Sequence, residues 1–491
     1  MYQNFIGLEV HIHLLTKTKA FCSCRSAFGD EPNTNVCPSC LGYPGTLPLL
    51  NGEAMRMGCM VARALNCTIP KQTWFERKQY FYPDISRNYQ ISQSASPLGQ
   101  KGYLELEGKG SEGNRINKKV RIKECHLEED TGKMIHAETV SLLDYNRCGV
   151  SLLEIVTEPD LETGEEAEFF IQELRRIVRY LGVCDGNMEE GSLRTDANVS
   201  INFRGKGPGK RVEIKNLNSS KFIRLSLDYE LHRHRQLFDE GKTIIQETRF
   251  WNEGINETFP MRQKEDTEDY RYLPDPDLPV FCPDAAFLKS VDEEQVELPL
   301  TRIRRLIKEY GLFEEQAMQI CEEKEGADYF EEAVAAAPKE AVRIANWFLT
   351  DIKFFLSRKG IALKDIKSFP LNPRRLVSLA VMLSEGRITG KLAKQCMELV
   401  IAEDKDPQEI VKSNNWELLS DPEKIAEAVK SVFLAEEKAV LELKGIIASV
   451  NKNREKRRKT LTAYLVGKAI AATGGRADPI ITGEQIEKLL S

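Results

Sequence analysis

Gly7-Leu8-Glu9-Val10-His11-Ile12-His13-Leu14 is the stretch on which the reading of this chain turns. Apolar and polar residues alternate strictly, and a β-strand sends successive side chains to opposite faces. Leu8, Val10, Ile12 and Leu14 therefore share one face, and Glu9, His11 and His13 share the other. The apolar face predicts a strand laid on a core. A carboxylate and two imidazoles on the opposite face can hold a metal or move protons, or can simply meet solvent.

Next comes Cys22-Ser23-Cys24, a turn-rich loop through Gly29 and Pro32, and Cys37-Pro38-Ser39-Cys40. Paired cysteines around a loop suit a tetrahedral structural zinc. Such a loop has no core of its own, so a bound metal would supply its folding energy. A redox pair at Cys37 and Cys40 fits less well, because no βαβ pattern precedes it. Four inert thiols are the remaining alternative.

At 491 residues the chain has room for two to four domains. Hydrophobic residues at 41% and charged residues at 29% predict a soluble globular protein. No N-terminal apolar run resembles a signal peptide, and no apolar stretch has membrane-spanning length. Twelve cysteines in such a chain predict reduced thiols and a cytoplasmic location. A net charge of −6 gives no global attraction to nucleic acid, so an RNA partner would need local basic patches.

Outward from the opening strand the first ~290 residues read as mixed β and α. Asn51 to Leu65 and Glu165 to Leu181 have helical spacing. Arg77-Lys78-Gln79-Tyr80-Phe81-Tyr82-Pro83-Asp84 sets bases beside aromatics, which suits a base stack or polyanion, or an aromatic core plug. Tyr103 to Glu107 and Lys118 to His126 read as strands joined by Gly108-Lys109-Gly110-Ser111-Glu112-Gly113. That turn matches a dinucleotide fingerprint in letters only: no helix follows to aim its N-terminus at pyrophosphate. Gly205 to Lys210 lacks Walker A spacing. His126-Leu127-Glu128-Glu129-Asp130 offers hard oxygen ligands near an imidazole, or an acidic turn. Leu152 to Val156 reads as a buried strand, and Val212 to Asn216 as a short one. Phe222 to Phe238 reads as a helix, with His232 and His234 at its surface. Beyond Leu300 amphipathic helices predominate, broken at Pro370-Leu371-Asn372-Pro373. The run Lys452 to Lys459 is dense in bases, either a solvated helix face or a polyanion contact.

Taken in order, these motifs resemble the GatB/GatE family, the B subunits of the aspartyl/glutamyl-tRNA(Asn/Gln) amidotransferases. The resemblance also rests on Leu153-Glu154-Ile155-Val156-Thr157-Glu158-Pro159-Asp160, Glu213-Ile214-Lys215-Asn216-Leu217-Asn218 and Asp269-Tyr270-Arg271-Tyr272-Leu273-Pro274-Asp275-Pro276-Asp277-Leu278. It covers the chain nearly end to end. The GatE insertion is not seen.

The resemblance implies an α+β fold. A mixed α/β cradle domain with a largely antiparallel sheet would span 1–293, with the zinc loop at 22–40. An all-α helical domain at 294–405 and a small all-α YqeY-type tail at 406–491 would follow. It implies a ligase that phosphorylates the side-chain carboxylate of misacylated Glu-tRNA(Gln) or Asp-tRNA(Asn) with ATP. Ammonia, released from glutamine by the amidase (GatA-type) subunit and channelled across, then forms the amide; a small GatC-type subunit completes the heterotrimer. Glu9, His11 and Glu129 match magnesium positions, with Glu128 and Glu213 as neighbours; Lys78 and Tyr80 match the channel mouth, and Glu128 is also a catalytic candidate. Cys22, Cys24, Cys37 and Cys40 would hold zinc. Lys452, Arg454, Lys456, Arg457, Arg458, Lys459 and Arg476 would contact tRNA. Ser151, Thr195 and Ser220 depart from the family pattern, where proline, cysteine and an aromatic are usual.

Overall fold

A computed structural model describes residues 2–263, 270–419, 421–447 and 455–490. The chain forms two compact units, Met1–Arg302 and Ile303–Ser491.

The first unit is built on the opening strand. β1 (Tyr2–His13) buries Leu8, Val10 and Ile12 almost completely, while Glu9, His11 and His13 stay half-buried on the other face. The chain then places α1 (Gly52–Ala64), β2 (Glu76–Gln79), β3 (Tyr89–Ser92), β4 (Gly99–Lys109) and β5 (Arg115–Glu129). A small hairpin, β6 (Lys133–His136) with β7 (Ser141–Asp144), precedes β8 (Ser151–Thr157) and α2 (Gly164–Tyr180). β9 (Leu193–Phe203), β10 (Val212–Lys215), α3 (Ser220–Asp239), β11 (Glu247–Asn252), β12 (Glu257–Gln263), β13 (Leu273–Pro274) and α4 (Ala285–Glu293) complete the unit.

Among the described residues eight strands form one sheet in the order β12-β11-β10-β9-β1-β8-β5-β4. Only β10 and β11 pair in parallel, so the sheet is largely antiparallel. β1 lies in its middle, with Glu9 opposite Val156 on β8 and Asp196 on β9. α1 packs on β4 and β5, its Gly58 under Leu98 and Leu153. α2 and α3 pack on each other and reach β4 and β9. Each fully buried Leu or Ile in this layer contributes about 1.5–3 kcal/mol, which leaves the opposite sheet face free to carry charge. The glycine-rich turn after β4 is a hairpin connection, as its sequence predicts. Ser111 donates to Glu168, and Glu165 accepts from Glu112 N and Asn114.

A second, three-stranded sheet, β13-β2-β3, carries the aromatic motifs. Arg77 on β2 fastens the segment after β13 by bonding Asp275 at 3.0 Å and Asp277 at 2.7 Å.

The second unit is helical: α5 (Pro299–Tyr310, beginning in the first unit), α6 (Glu314–Ile320), α7 (Lys324–Ala336), α8 (Ala341–Trp347), a π-helical turn Phe348–Ile352 and α9 (Lys353–Lys359). α10 (Pro373–Ser384) follows the predicted proline break, then α11 (Gly390–Glu403) and α12 (Pro407–Ser413). These helices share one apolar cluster, which takes in Ile410 and Val411 of α12. α13 (Pro422–Ala435), α14 (Glu437–Ile447), α15 (Glu455–Ala472) and α16 (Pro479–Leu490) build another, from Ile425 to Ile486. Asp421 caps α13 by accepting from Glu423 N, with Pro422 in the first turn.

One surface expectation is corrected. His232 is exposed, but His234 is fully buried beside Glu230, because the two residues lie on different sides of α3.

Candidate active site and metal centre

The polar face of the large sheet gathers ionisable groups from neighbouring strands. Register explains the gathering. His11 on β1 sits opposite Glu154 on β8, and Glu154 sits opposite His126 on β5. Partners across a ladder present their side chains to the same face. His126 Nε2 lies 2.7 Å from Glu154 Oε2, and His11 Nε2 lies 3.6 Å from the same oxygen. Glu128, two residues beyond His126, comes within 3.9 Å of His11. Two triads, Glu9-His11-Glu154 and His126-Glu128-Glu154, each offer ligand atoms within 4.8 Å of one another, and Glu154 belongs to both.

Crowding perturbs every member. Burial and the Glu154 charge push Glu9 up to about 7. Burial opposes charge on His11, but the hydrogen bond and charge of Glu154 win and raise it to about 9. Burial and Glu154 raise Glu128, with the Lys78 charge opposing them. Glu154 itself is held well below the usual carboxylate range despite burial, because His126 and His11 face it. Buried carboxylates this close cannot all ionise without added positive charge. A divalent cation suits the oxygen donors and supplies that charge. Among the described residues His126 Nδ1 is buried without a hydrogen-bond partner, a further sign that the cluster's partners are incomplete. The residues present thus fit a magnesium ion.

A wall of aromatic residues and one lysine stands by the cluster. Ser92 on β3 donates to Glu128 at 3.1 Å, which ties the small sheet to β5. Lys78 Nζ lies 4.9 Å from the Tyr270 ring centre and 5.9 Å from that of Tyr80. Tyr270 meets Tyr80 and Tyr272 edge-on. Burial and neighbouring acids raise both Tyr80 and Tyr272, the latter to about 12, so their hydroxyls keep their protons.

Not every expected ligand joins the cluster. Glu129 follows Glu128 on a strand, so it points to the opposite face. There it pairs with Arg87 and accepts from Ile91 N at 3.0 Å. Its expected place among the magnesium ligands is corrected accordingly. Glu213 binds Thr248 at 2.9 Å and Lys215 at 3.3 Å, and Lys215 also holds Asp196 at 2.5 Å, farther along the same face. Glu154 and His126 are not among the expected ligands. The available signal for Glu154 is a lone carboxylate inside the apolar run Leu152 to Val156. Ser151, Thr195 and Ser220 leave the cluster intact: Ser151 lies 3.2 Å from Thr16, Thr195 shares the apolar side with its neighbour Val10, and Ser220 opens α3.

The cysteine tetrad assembles as the spacing predicts. Cys22, Cys24, Cys37 and Cys40 bring their sulfurs within 4.8 Å of one another. The Cys37 N–H points at Cys40 Sγ from 3.2 Å. Shared protons split the thiols: the Cys22 hydrogen bond lowers Cys40 to about 4, while burial raises Cys24 to about 11. A tight tetrad with one thiol already prone to ionise fits a tetrahedral zinc.

The basic groups expected at tRNA lie elsewhere. Lys452 and Arg454 fall outside the described residues, as does the side chain of Lys456. Arg457 pairs with Glu442 at 2.8 Å and Arg458 with Glu487 at 3.4 Å, while Lys459 is exposed. Exposed pairs of this kind contribute at most about 1 kcal/mol and exchange readily. Arg476 donates to Thr473 O and Asn415 O, so it fastens its loop instead of presenting a free base.

A largely antiparallel sheet with a carboxylate–imidazole face, a cysteine-rich loop and a separate helical unit define the class of this protein. A model of the GatB/GatE catalytic domain matches residues 4–289, and one of the GatB domain matches 328–490. This chain belongs to the GatB/GatE family. It is 41% identical to the B subunit of the aspartyl/glutamyl-tRNA(Asn/Gln) amidotransferase of Crocosphaera subtropica, across all of this chain and 98% of that protein. It is 42% identical to the protein of the same name from Thermodesulfovibrio yellowstonii, across all of this chain and 99% of that one.

Proposed function

We propose that this chain is the amide-forming component of a tRNA-dependent amidotransferase. It acts in the cytoplasm, with an amidase of the GatA type and a small GatC-type protein, on Glu-tRNA(Gln), Asp-tRNA(Asn) or both. The observation that carries the reading is Glu154 shared between two ligand triads on one sheet face, in a chain similar end to end to relatives named as amidotransferase B subunits.

The chemistry has two steps. A side-chain carboxylate oxygen of the aminoacyl group attacks the γ-phosphorus of ATP, and the bond to the bridging oxygen breaks to release ADP. Ammonia then attacks the acyl carbon, phosphate leaves with the bonding pair, and one ammonia proton is lost. Glu9, His11, Glu128 and Glu154 would hold magnesium, with His126 fixing Glu154. When bound, the ion neutralises phosphate oxygens and orients the γ-phosphoryl group. Lys78 puts a positive charge beside Glu128, where the substrate carboxylate and the departing phosphate need it. Tyr80 and Tyr272 stay protonated and offer neutral hydroxyls along the path by which uncharged ammonia arrives. The bases from Lys452 to Lys459 act on the tRNA backbone, since phosphate contacts position a nucleic acid without reading sequence.

The test is co-expression with the amidase and the small GatC-type protein, followed by assay of charged-tRNA amidation with glutamine and ATP. The expected result is ATP turnover that requires charged tRNA. Turnover without tRNA would make the chain a phosphohydrolase, and no turnover under any condition would make it a scaffold; either result overturns the reading.

A further inference from the structure

Lys19 is fully buried, yet among the described residues its ammonium has no carboxylate partner. Its Nζ donates to Tyr145 O at 3.1 Å and points at Cys40 Sγ from 3.7 Å. A lysine is almost never buried whole unless opposite charge meets it. One carbonyl oxygen satisfies a single N–H and brings no net charge. The sulfur tetrad is therefore the place to look for the missing anion. Gly149 keeps the approach open: a Cβ there would sit 3.4 Å from Lys19 Cδ and 3.7 Å from Cys40 Cβ, on a backbone with φ of +85°.

A divalent cation ringed by four thiolates keeps a net negative charge. We infer that Lys19 is the buried counter-charge of a metal centre at Cys22, Cys24, Cys37 and Cys40. The inference rests on the reading of that tetrad as a zinc site. Lys19 touches a ligand sulfur and not the metal, so it is a positioning residue. By the same contacts it joins the metal loop to the turn Tyr145 to Gly149, which leads into β8 and Glu154. Asn146 of that turn adds three bonds to the loop, accepting from Asn35 N at 2.8 Å and donating to Glu31 O at 2.7 Å and Asp30 O at 3.4 Å. The metal loop is thus anchored to the turn that delivers the shared carboxylate of the active face.

The experiment uses the full-length chain purified with zinc present, as wild type, Lys19→Met and Lys19→Arg. Zinc content is measured first, then the rate at which a chromogenic chelator strips the metal. Losing a residue that supports metal ligands typically weakens metal binding 10–100-fold, so Lys19→Met should release zinc roughly 10–100-fold faster. Lys19→Arg, which keeps the charge, should stay near wild type. Thermal midpoints of loaded and stripped protein supply a second readout. Lys19→Met should lower the midpoint of the loaded chain but leave that of the stripped chain unchanged or higher, because stripping abandons the wild-type ammonium in the interior. If Lys19→Met does not fold, Lys19→Gln, which keeps a donor for Tyr145 without the charge, carries the same comparison. Equal losses in loaded and stripped forms, or unchanged release, overturn the inference and leave Lys19 as packing. A wild-type chain that holds no zinc overturns the metal reading itself, a different result read at the first step.

Discussion

The first unit brings ligand-type side chains together in two places, by opposite means. The cysteine tetrad draws its four groups from nineteen consecutive positions of loop, Cys22 to Cys40, so the local spacing already contains the site. The carboxylate–imidazole cluster draws on β1, β5 and β8, whose members are spread from Glu9 to Glu154. Only strand order and register bring those together. On the zinc reading the loop would depend on its metal for much of its stability, whereas the sheet is held by strand pairing and a metal there would answer a charge excess. Removing ligands should therefore unfold the one and merely disable the other.

The sharpest way to break this contrast is to compare neighbours on β5 and β8. Glu154→Gln should cut phosphorylation of the aminoacyl carboxylate by about 10²–10³-fold, measured as ADP formed on charged tRNA in the complex. Its thermal midpoint should fall less than that of Glu129→Gln, since the imidazoles can go neutral and the repulsion of Glu9 and Glu128 is relieved, offsetting the lost pairing. Glu129→Gln should behave the other way, keeping most activity while losing roughly 3 kcal/mol in urea unfolding, because Arg87 is left buried without its counter-charge. A large activity loss with normal stability in Glu129→Gln would return that residue to the active face.

The loop supplies the second comparison. Cys37→Ser/Cys40→Ser should remove stoichiometric zinc by metal analysis and expose 22–40 to limited proteolysis. The large sheet should keep its protection in hydrogen exchange. Wild-type stability without zinc would show that the loop folds by itself and that the two sites do not differ in kind.

A third test lies outside both sites. Removal of residues 420–491 spares the apolar cluster that includes Ile410 and Val411, and deletes the one from Ile425 to Ile486. It should weaken tRNA binding roughly tenfold and flatten its salt dependence, because phosphate contacts carry both effects. Zinc content should not change. Equal affinity and an equal salt slope would place tRNA recognition outside this segment.

The smallest effect concerns a third charged cluster. Buried Glu230 is held down to about 2, against the cost of burial, by His234, Arg233 and Thr258. Its folded pKa lies below the ordinary 4.5, so its stabilisation is complete above pH 4.5 and is lost as pH falls towards about 2. Glu230→Gln should cost about 1–3 kcal/mol near neutrality, and the gap to wild type should close in acid. A gap independent of pH would mean that the carboxylate contributes shape alone.

Within the candidate site the legible and illegible residues differ for a physical reason. Glu9 and His11 can be read from the letters because two residues of one strand share a face whatever surrounds them. Glu128 and Glu129 cannot be told apart in that way, since either face of β5 could have met the cluster. Pairing of β5 with β8 chose Glu128. Glu154 looks like an exception within a buried strand until β1 and β5 are placed on its two sides. His234 escapes the sequence because helix position alone does not say which side of α3 is covered.

The sequence by itself determined the alternation of β1, the cysteine spacing, the motif order that marks the family and the change to helix near Leu300. All of these depend on interactions among near neighbours in the chain or on patterns that survive without coordinates. Tertiary structure alone decided which carboxylates meet, that Lys19 reaches Cys40, and that Arg476 fastens a loop. Those outcomes depend on strand register and on turns that bring distant segments within a few ångströms. Local alternation fixes which face of a strand turns inward, but not which strands become neighbours, so it cannot say which polar side chains of the other face meet.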